Sequence, residues 1–364
     1  MTMRGIKEEM KRQKRKMSKT RKIILVVIII LTVVGTAVTV PWGLLRAWIT
    51  PLPNTVQEQV DDAINFGLDG IIVYVDQSTK EPAFYSAGWK NRQNQIPADP
   101  HALFKIASIS KLYIAAAAVK LVNNQSVSLD STLRELLPEL ADRIEYADEI
   151  TLRMLLQHRS GIPDWIDDPE FPWTRSVANV DDVLAFVLDD PADFEPDTRY
   201  KYSNTNYLLI GKILDKTLGY SHQEYIRREI LVPLGLTHTF GSLRDVDADE
   251  VVSGYSVEYE GDEKMLDFVA PGGSMVATAE DVGIFLRALN DGSLLNDDEQ
   301  SIYSFVYVYE HTGLLPGYSS IAKYHKDIDT VVVQFVNTSG GDTWGKTEIL
   351  YNRILKILRQ QNEQ

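Results

Sequence analysis

Hydrophobic and polar positions fall into distinct regimes along the chain. The first is 23-IILVVIIILTVVGTAVTV-40, eighteen residues without a charge. As a helix, at about 1.5 Å per residue, it would be roughly 27 Å long, close to the hydrocarbon thickness of a bilayer. Next comes 41-PWGLLRAWITPL-52, with Trp42 and Trp48 suited to a membrane interface. From residue 54 the periods shorten. Residues 54–67 predict an amphipathic helix, and 70-GIIVYVD-76 with 83-AFYSAGW-89 predict two strands around a polar turn. Near the other end, 319–327 and 329–338 predict a second strand pair and 343–360 a closing helix, whereas 110–250 reads as mainly helical. The simplest assembly is an α+β fold: an antiparallel sheet flanked by helices, with an inserted, mainly helical lobe.

Charge adds orientation. Residues 1–22 hold ten Lys and Arg against Glu8 and Glu9, whereas the whole 364-residue chain has a net charge of −14. A basic flank before an apolar run and an acidic body after it predict a cytoplasmic N-terminus and an extracytoplasmic domain. The expected organisation is a basic cytoplasmic tail over 1–22, a single-pass transmembrane signal anchor over 23–44, a linker over 45–53 and one domain over 54–364. The competing reading is a cleaved signal peptide, with Gly35-Thr36-Ala37 as the small-residue site. An acidic body repels nucleic acid, so no polynucleotide partner is expected. The absence of cysteine excludes disulfides, thiol catalysis and lipidation at cysteine. Neither metal-ligand spacing nor a nucleotide-binding glycine loop occurs, so no metal or cofactor is expected.

Three short patterns carry candidate chemistry. In 104-FKIASISKLYIAAAAVKLV-122, Ser108 and Lys111 have the spacing S-x-x-K at the start of a helix that is apolar nearly all round. On a helix these positions share a face, and burial would lower the lysine pKa toward that of a base. The plain alternative is a helix start with a snorkelling lysine. A second copy, Ser320 to Lys323, lies in a strand-like stretch, where positions i and i+3 face opposite ways. Tyr202-Ser203-Asn204 precedes an amphipathic helix; it offers a phenol and an amide, or a helix cap. His311-Thr312-Gly313 opens a predicted strand, either as a structural histidine or as a wall that a ligand approaches closely.

In the order S-x-x-K, Y-x-N, H-T-G, the chain resembles the serine β-lactamase-related family. Its Tyr-x-Asn branch comprises class C β-lactamases, D-alanyl-D-alanine carboxypeptidases and esterases, which are penicillin-binding-protein-like. The stretches 151-TLRMLLQHRSGIPDW-165 and 270-APGGSMVATAEDVGIFLRAL-289 resemble further regions of that family. The resemblance implies a β-lactamase/transpeptidase-like fold, with Ser108 as acylated nucleophile, Lys111 as its base and Tyr202 as proton shuttle. It gives Asn204, His311, Thr312 and Gly313 to substrate binding, and the backbone N–H groups of Ser108 and Leu314 to the oxyanion hole. The departure is His311 where β-lactamases carry lysine. A histidine is mostly neutral at pH 7, which points away from an efficient β-lactamase and toward a peptide or ester substrate. No acidic residue can be placed as a dedicated deacylation base, leaving both half-reactions to Tyr202 and Lys111. The expected activity is an acyl-enzyme hydrolase, D-Ala-D-Ala carboxypeptidase-like on cell-wall peptides, with an esterase or weak β-lactamase as alternatives. A catalytically silent penicillin-type sensor is the alternative of another class.

Overall fold

The computed structural model describes residues 19–363, apart from 79, 178, 268 and 269. Most of the expected basic tail therefore lies outside the described residues. Two compact units are present, one up to Ile49 and one from Thr50 onward. The first contains helix α1 (Lys19–Thr39) and helix α2 (Trp42–Ile49), separated at Pro41, whose missing N–H cannot continue a helical ladder. Helix thus extends to Ile49, into the stretch expected as linker. Among the described residues no helix is long and apolar enough to cross a membrane. Side chains at 33, 34 and 37–39, inside the apolar run, fall outside the description. Those from Ile23 to Leu31 are 45–65% exposed.

The second unit is built on a six-stranded antiparallel sheet in the order β3-β2-β1-β6-β5-β4. Its strands are β1 (Gly70–Gln77), β2 (Ala83–Asn91), β3 (Ile96–Pro97), β4 (His311–Leu315), β5 (Tyr318–His325) and β6 (Thr330–Val336). The first and last long strands are neighbours, Ile71 opposite Val336 and Gln77 opposite Thr330. Both read as nearly continuous apolar runs because both faces of the central sheet are covered: β6 is buried at all seven positions. Helix α3 (Val56–Asn65) and the C-terminal helix α7 (Thr343–Asn362) cover one face, and helix α6 (Ala279–Asp291) packs on β1, β5 and β6.

Element ends follow local chemistry. Helix α3 is shorter than the 54–67 expected from periodicity because Thr55 caps it in a reciprocal box with Glu58. Its C-terminal stop is Gly67, at φ 87°. The last sheet strand ends at Val336 because Asn337 turns its amide to the carbonyls of Trp89 and Ser253, at 3.0 and 2.9 Å. Residues Thr338–Ser339 then pair with Tyr255–Ser256 instead.

Between the two halves of the sheet lies the helical lobe, centred on helix α4 (Ser110–Asn123) and helix α5 (Asn204–Leu218). The alanine block makes α4 slim: Ala115, Ala116, Ala117 and Ala118 are fully buried, and Tyr113 stacks on Phe285 of α6 at 3.7 Å between centroids. Around this axis, 124–203 is less regular than the expectation of a mainly helical middle. Among the described residues it contains only short helical turns between loops, where Asp side chains such as Asp164 and Asp168 take backbone N–H groups and prolines supply none.

Candidate active site

Ser108 lies in a 3-10 turn, Ala107–Ile109, that runs directly into α4. Ala107 is held at φ 51°, a left-handed conformation costing an L-residue about 1 kcal/mol or more. The turn is clamped from several sides. The buried Ser110 hydroxyl donates to the Ala107 carbonyl at 2.6 Å and accepts from the Met275 N–H at 3.3 Å. Ser320, from the strand-borne S-x-x-K copy, donates to the Ile106 carbonyl at 3.3 Å. That second serine is thus a buttress of the first motif, while Lys323 pairs with Glu310 elsewhere.

One turn further on, Lys111 is 1% exposed, buried more deeply than a snorkelling lysine. Its Nζ lies 2.9 Å from Ser108 Oγ, 2.8 Å from Asn204 Oδ1 and 2.9 Å from the Gly272 carbonyl. Burial pulls its pKa down to about 7, against the opposing pull of Asp164. The neighbours then fix where the free electron pair points. Asn204 Oδ1 and the Gly272 carbonyl can only accept, so they take the two N–H bonds of the neutral amine. The lone pair is left for the Ser108 hydroxyl proton. The orientation of the Asn204 amide is itself set, because its Nδ2 donates to Asp164 Oδ2 at 2.9 Å.

Tyr202 completes the cluster by donating from Oη to Ser108 Oγ at 3.0 Å. Burial raises its pKa, so it stays a neutral phenol and a proton donor at neutral pH. Its ring stacks on His158 at 4.4 Å. His158 Nδ1 accepts from the Ser203 N–H at 3.2 Å, and burial lowers its pKa to about 3. The cap alternative for this loop does not match what the side chains do. Ser203 makes no side-chain cap, and Thr205 bonds the Pro163 carbonyl and the Trp165 N–H, tying α5 to the 163–165 loop.

The opposite wall is β4, the sheet's edge strand. A side chain on Gly313 would meet the Ile106 carbonyl at 2.5 Å and Ala107 Cβ at 2.9 Å, so only glycine lets this strand abut the Ser108 turn. Leu315 and Tyr318 flank the two-residue Pro316-Gly317 turn. Such a flanking pair exchanges both hydrogen bonds; the next pair, Leu314–Ser319, turns its backbone groups away from its partner. The Leu314 N–H therefore faces outward from the edge, on the side of the cavity that Leu314 lines. His311 carries no charge here: Nδ1 donates to the Thr312 carbonyl at 2.5 Å and Nε2 accepts from Tyr307 Oη at 2.9 Å. Burial lowers its pKa to about 4. A cavity of about 580 Å³ runs past Ser108, Tyr202, Asn204, His311, Thr312 and Leu314.

All eight sequence-predicted residues thus border one site. The residues missed are those that act through others. Asp164 is buried, and burial raises its carboxyl pKa while hydrogen bonds from Asn204 oppose the rise. Gly272 supplies a carbonyl to Lys111, and Tyr307 occupies His311. Asp164 and Gly272 lie within the two further family-like stretches, which was the only available signal; Tyr307 had none. Among the described residues no cluster of His, Asp and Glu could hold a metal ion.

The chain has recognisable relatives among known proteins. The sequence profile of the Beta-lactamase family matches residues 65–306. Protein flp of Staphylococcus aureus (strain N315) is 28% identical over 196 residues, which is 52% of this chain and 39% of that protein. The chain thus matches well under half the length of that relative. D-amino acid amidase from Ochrobactrum anthropi SV3 superposes with a TM-score of 0.76 at 23% identity, covering 85% of this chain and 99% of the amidase. A penicillin-binding protein from Bacillus halodurans does so with a TM-score of 0.71 at 22% identity, covering 84% and 99%.

Proposed function

The chain belongs to the β-lactamase family, and from that premise we propose that it is a serine hydrolase working through an acyl-enzyme on Ser108. The observation that carries this reading is the orientation of Lys111: of its three polar neighbours, only the Ser108 hydroxyl can donate a proton to the amine lone pair. In the proposed reaction Ser108 Oγ attacks the acyl carbon and its proton passes to Lys111 Nζ. The developing oxyanion is held by the backbone N–H groups of Ser108 and Leu314, each such donor typically contributing 10²–10³ in rate. Tyr202 Oη gives its proton to the leaving nitrogen or oxygen as that atom's bond to the acyl carbon breaks, and the proton held by Lys111 passes to the Tyr202 oxygen, so that both side chains return to their neutral forms. Water then attacks the ester by the same route in reverse. Asn204 orients Lys111 and the substrate amide, and Thr312 with Gly313 lines the bound acyl donor.

The first substrate class is a D-amino-acid-containing peptide of the cell-wall type, cleaved as by a D-Ala-D-Ala carboxypeptidase. A structural neighbour is a D-amino acid amidase and another a penicillin-binding protein, which supports amide chemistry. Ester or amide substrates without a carboxylate are the second reading, favoured by one observation: both His311 nitrogens are engaged and neutral. The eighteen-residue uncharged run and its basic flank support a cell-membrane location, with the N-terminus cytoplasmic and the domain outside.

The full-length protein treated with a fluorophosphonate, and separately with a fluorescent penicillin, should gain a covalent mass adduct on Ser108. Ser108→Ala should abolish it and Ser320→Ala should not. Absence of any adduct on the folded wild type sinks the acyl-enzyme reading and favours a silent ligand-binding role.

A further inference from the structure

The catalytic cavity has an electrostatic asymmetry that the proposed chemistry does not use. None of the described residues lining it is lysine or arginine, and Lys111 is sealed beneath Ser108 by its three polar neighbours. His311 supplies no cation, because Tyr307 and its own strand occupy both ring nitrogens. Among the described residues, the single charged side chain on the cavity wall is Glu258. Its side chain lies over Gly340, where a Cβ would come within 3.2 Å of the Glu258 carboxyl carbon. This places the carboxyl group beside the Ser339–Gly340 end of the wall, and no cation among the described residues pairs with it. On the same cavity are the aromatic rings of Trp165, Trp173 and Tyr259. An unpaired carboxylate on the wall of a cavity that aromatic side chains also line is a combination that attracts an organic ammonium group, by charge and through the ring quadrupoles.

We propose that the acyl donor bears an ammonium group, which Glu258 receives against the aromatic wall, and that donors with a carboxylate in that position are disfavoured. The inference rests on the acyl-enzyme reading only for which half of the substrate fills this cavity. The body of the protein favours the same sign of ligand. Outside residues 1–22 the acidic side chains outnumber the basic ones, and such a surplus raises the local concentration of cations at a cleft.

The test uses full-length Ser108→Ala, which keeps the cavity but does not turn over. Three ligands are titrated by calorimetry at pH 7.5: Nα-acetyl-D-lysinamide, its neutral counterpart Nα-acetyl-D-norleucinamide, and an anionic Nα-acetyl-D-glutamic α-amide. The expected order is cation, neutral, anion, with about a fivefold advantage of the first over the second that shrinks as salt is raised. In Ser108→Ala/Glu258→Gln the cation and the neutral ligand should bind alike. The proposal is overturned if the neutral ligand binds as well as the cation, if the preference survives Glu258→Gln, or if the cation does not bind at millimolar concentration. Because no bond to residue 108 is formed, a cation preference dependent on Glu258 would uphold the inference even where wild-type Ser108 resists labelling.

Discussion

Asp164 neither contacts Ser108 nor lines the cavity itself, yet two of its effects on Lys111 are separable. Its charge favours the lysine ammonium, and its Oδ2 fixes the Asn204 amide so that Oδ1 faces Nζ. Asp164→Asn removes the charge but keeps an oxygen able to accept from Asn204. Asp164→Ala removes both. With the charge gone, the Lys111 pKa should fall further below about 7, so the rise of acylation rate with pH should move to lower pH. At pH 8, where the lysine is largely neutral in either protein, the Asn variant should acylate nearly as fast as wild type. The Ala variant leaves Asn204 free to present its NH₂ to Lys111, so the lone pair no longer belongs to Ser108 alone. A hydrogen bond to a charged partner contributes about 1.5–3 kcal/mol, which corresponds to a loss of roughly tenfold to hundredfold across the whole pH range. The assay is the second-order rate of fluorophosphonate labelling between pH 5.5 and 9, with intact mass identifying the adduct. An unchanged inflexion in Asp164→Asn, or a wild-type rate at pH 8 in Asp164→Ala, would refute the assignment of Asp164 as the residue that positions the base.

Three further outcomes follow from the packing. Gly313→Ala forces a Cβ against the Ile106 carbonyl and the Ala107 side chain, so labelling should fall by about a hundredfold, since both proposed oxyanion donors shift apart; near-normal labelling would contradict the tight strand-to-turn contact. Ala117→Leu adds a branched side chain to a fully buried site on α4 and should lower urea stability by about 1–3 kcal/mol, read from the denaturation midpoint at unchanged slope. His158 has a folded pKa of about 3, below the unfolded value near 6.5. Its contribution to stability is therefore complete above pH 6.5 and declines as pH falls toward 3. His158→Gln, which keeps an acceptor for the Ser203 N–H, should flatten the fall of Tm between pH 6.5 and 4.5; an unchanged slope would assign the acid sensitivity elsewhere.

Much of this arrangement was legible from local pattern. The strands at both ends were visible because continuous Val and Ile runs bounded by polar turns have few other uses. Ser108 and Lys111 stood out because a lysine in an otherwise apolar helix demands polar partners. Less legible were residues whose partners no local pattern reveals. Nothing around Asp164 shows that it reaches Asn204 of α5, 40 residues further on, because that contact depends on how the 163–165 loop folds back onto the helix. Tyr307 is only four residues from His311, but the two lie outside any regular element shared by both, so no period shows that their side chains meet. Helix ends were misplaced by a residue or two, since Thr55 and Gly67 settle the boundary through their own backbone preferences. The irregular course of 124–203 escaped a reading by periodicity because short turns leave little periodic signal.

The pairing of β1 with β6 sets an order of events for the growing chain. Residues 70–77 leave the ribosome long before their partner, 330–336, has been made. Until then a strand of almost unbroken Ile, Val and Tyr has its inner edge open, the condition under which chains pair with the wrong neighbour. If the polypeptide is threaded across a membrane during synthesis, the domain must be held unfolded until β6 has crossed. A carrier that binds extended apolar segments would then be needed on the far side, and a truncation that removes β6 should yield an aggregate rather than a smaller folded domain.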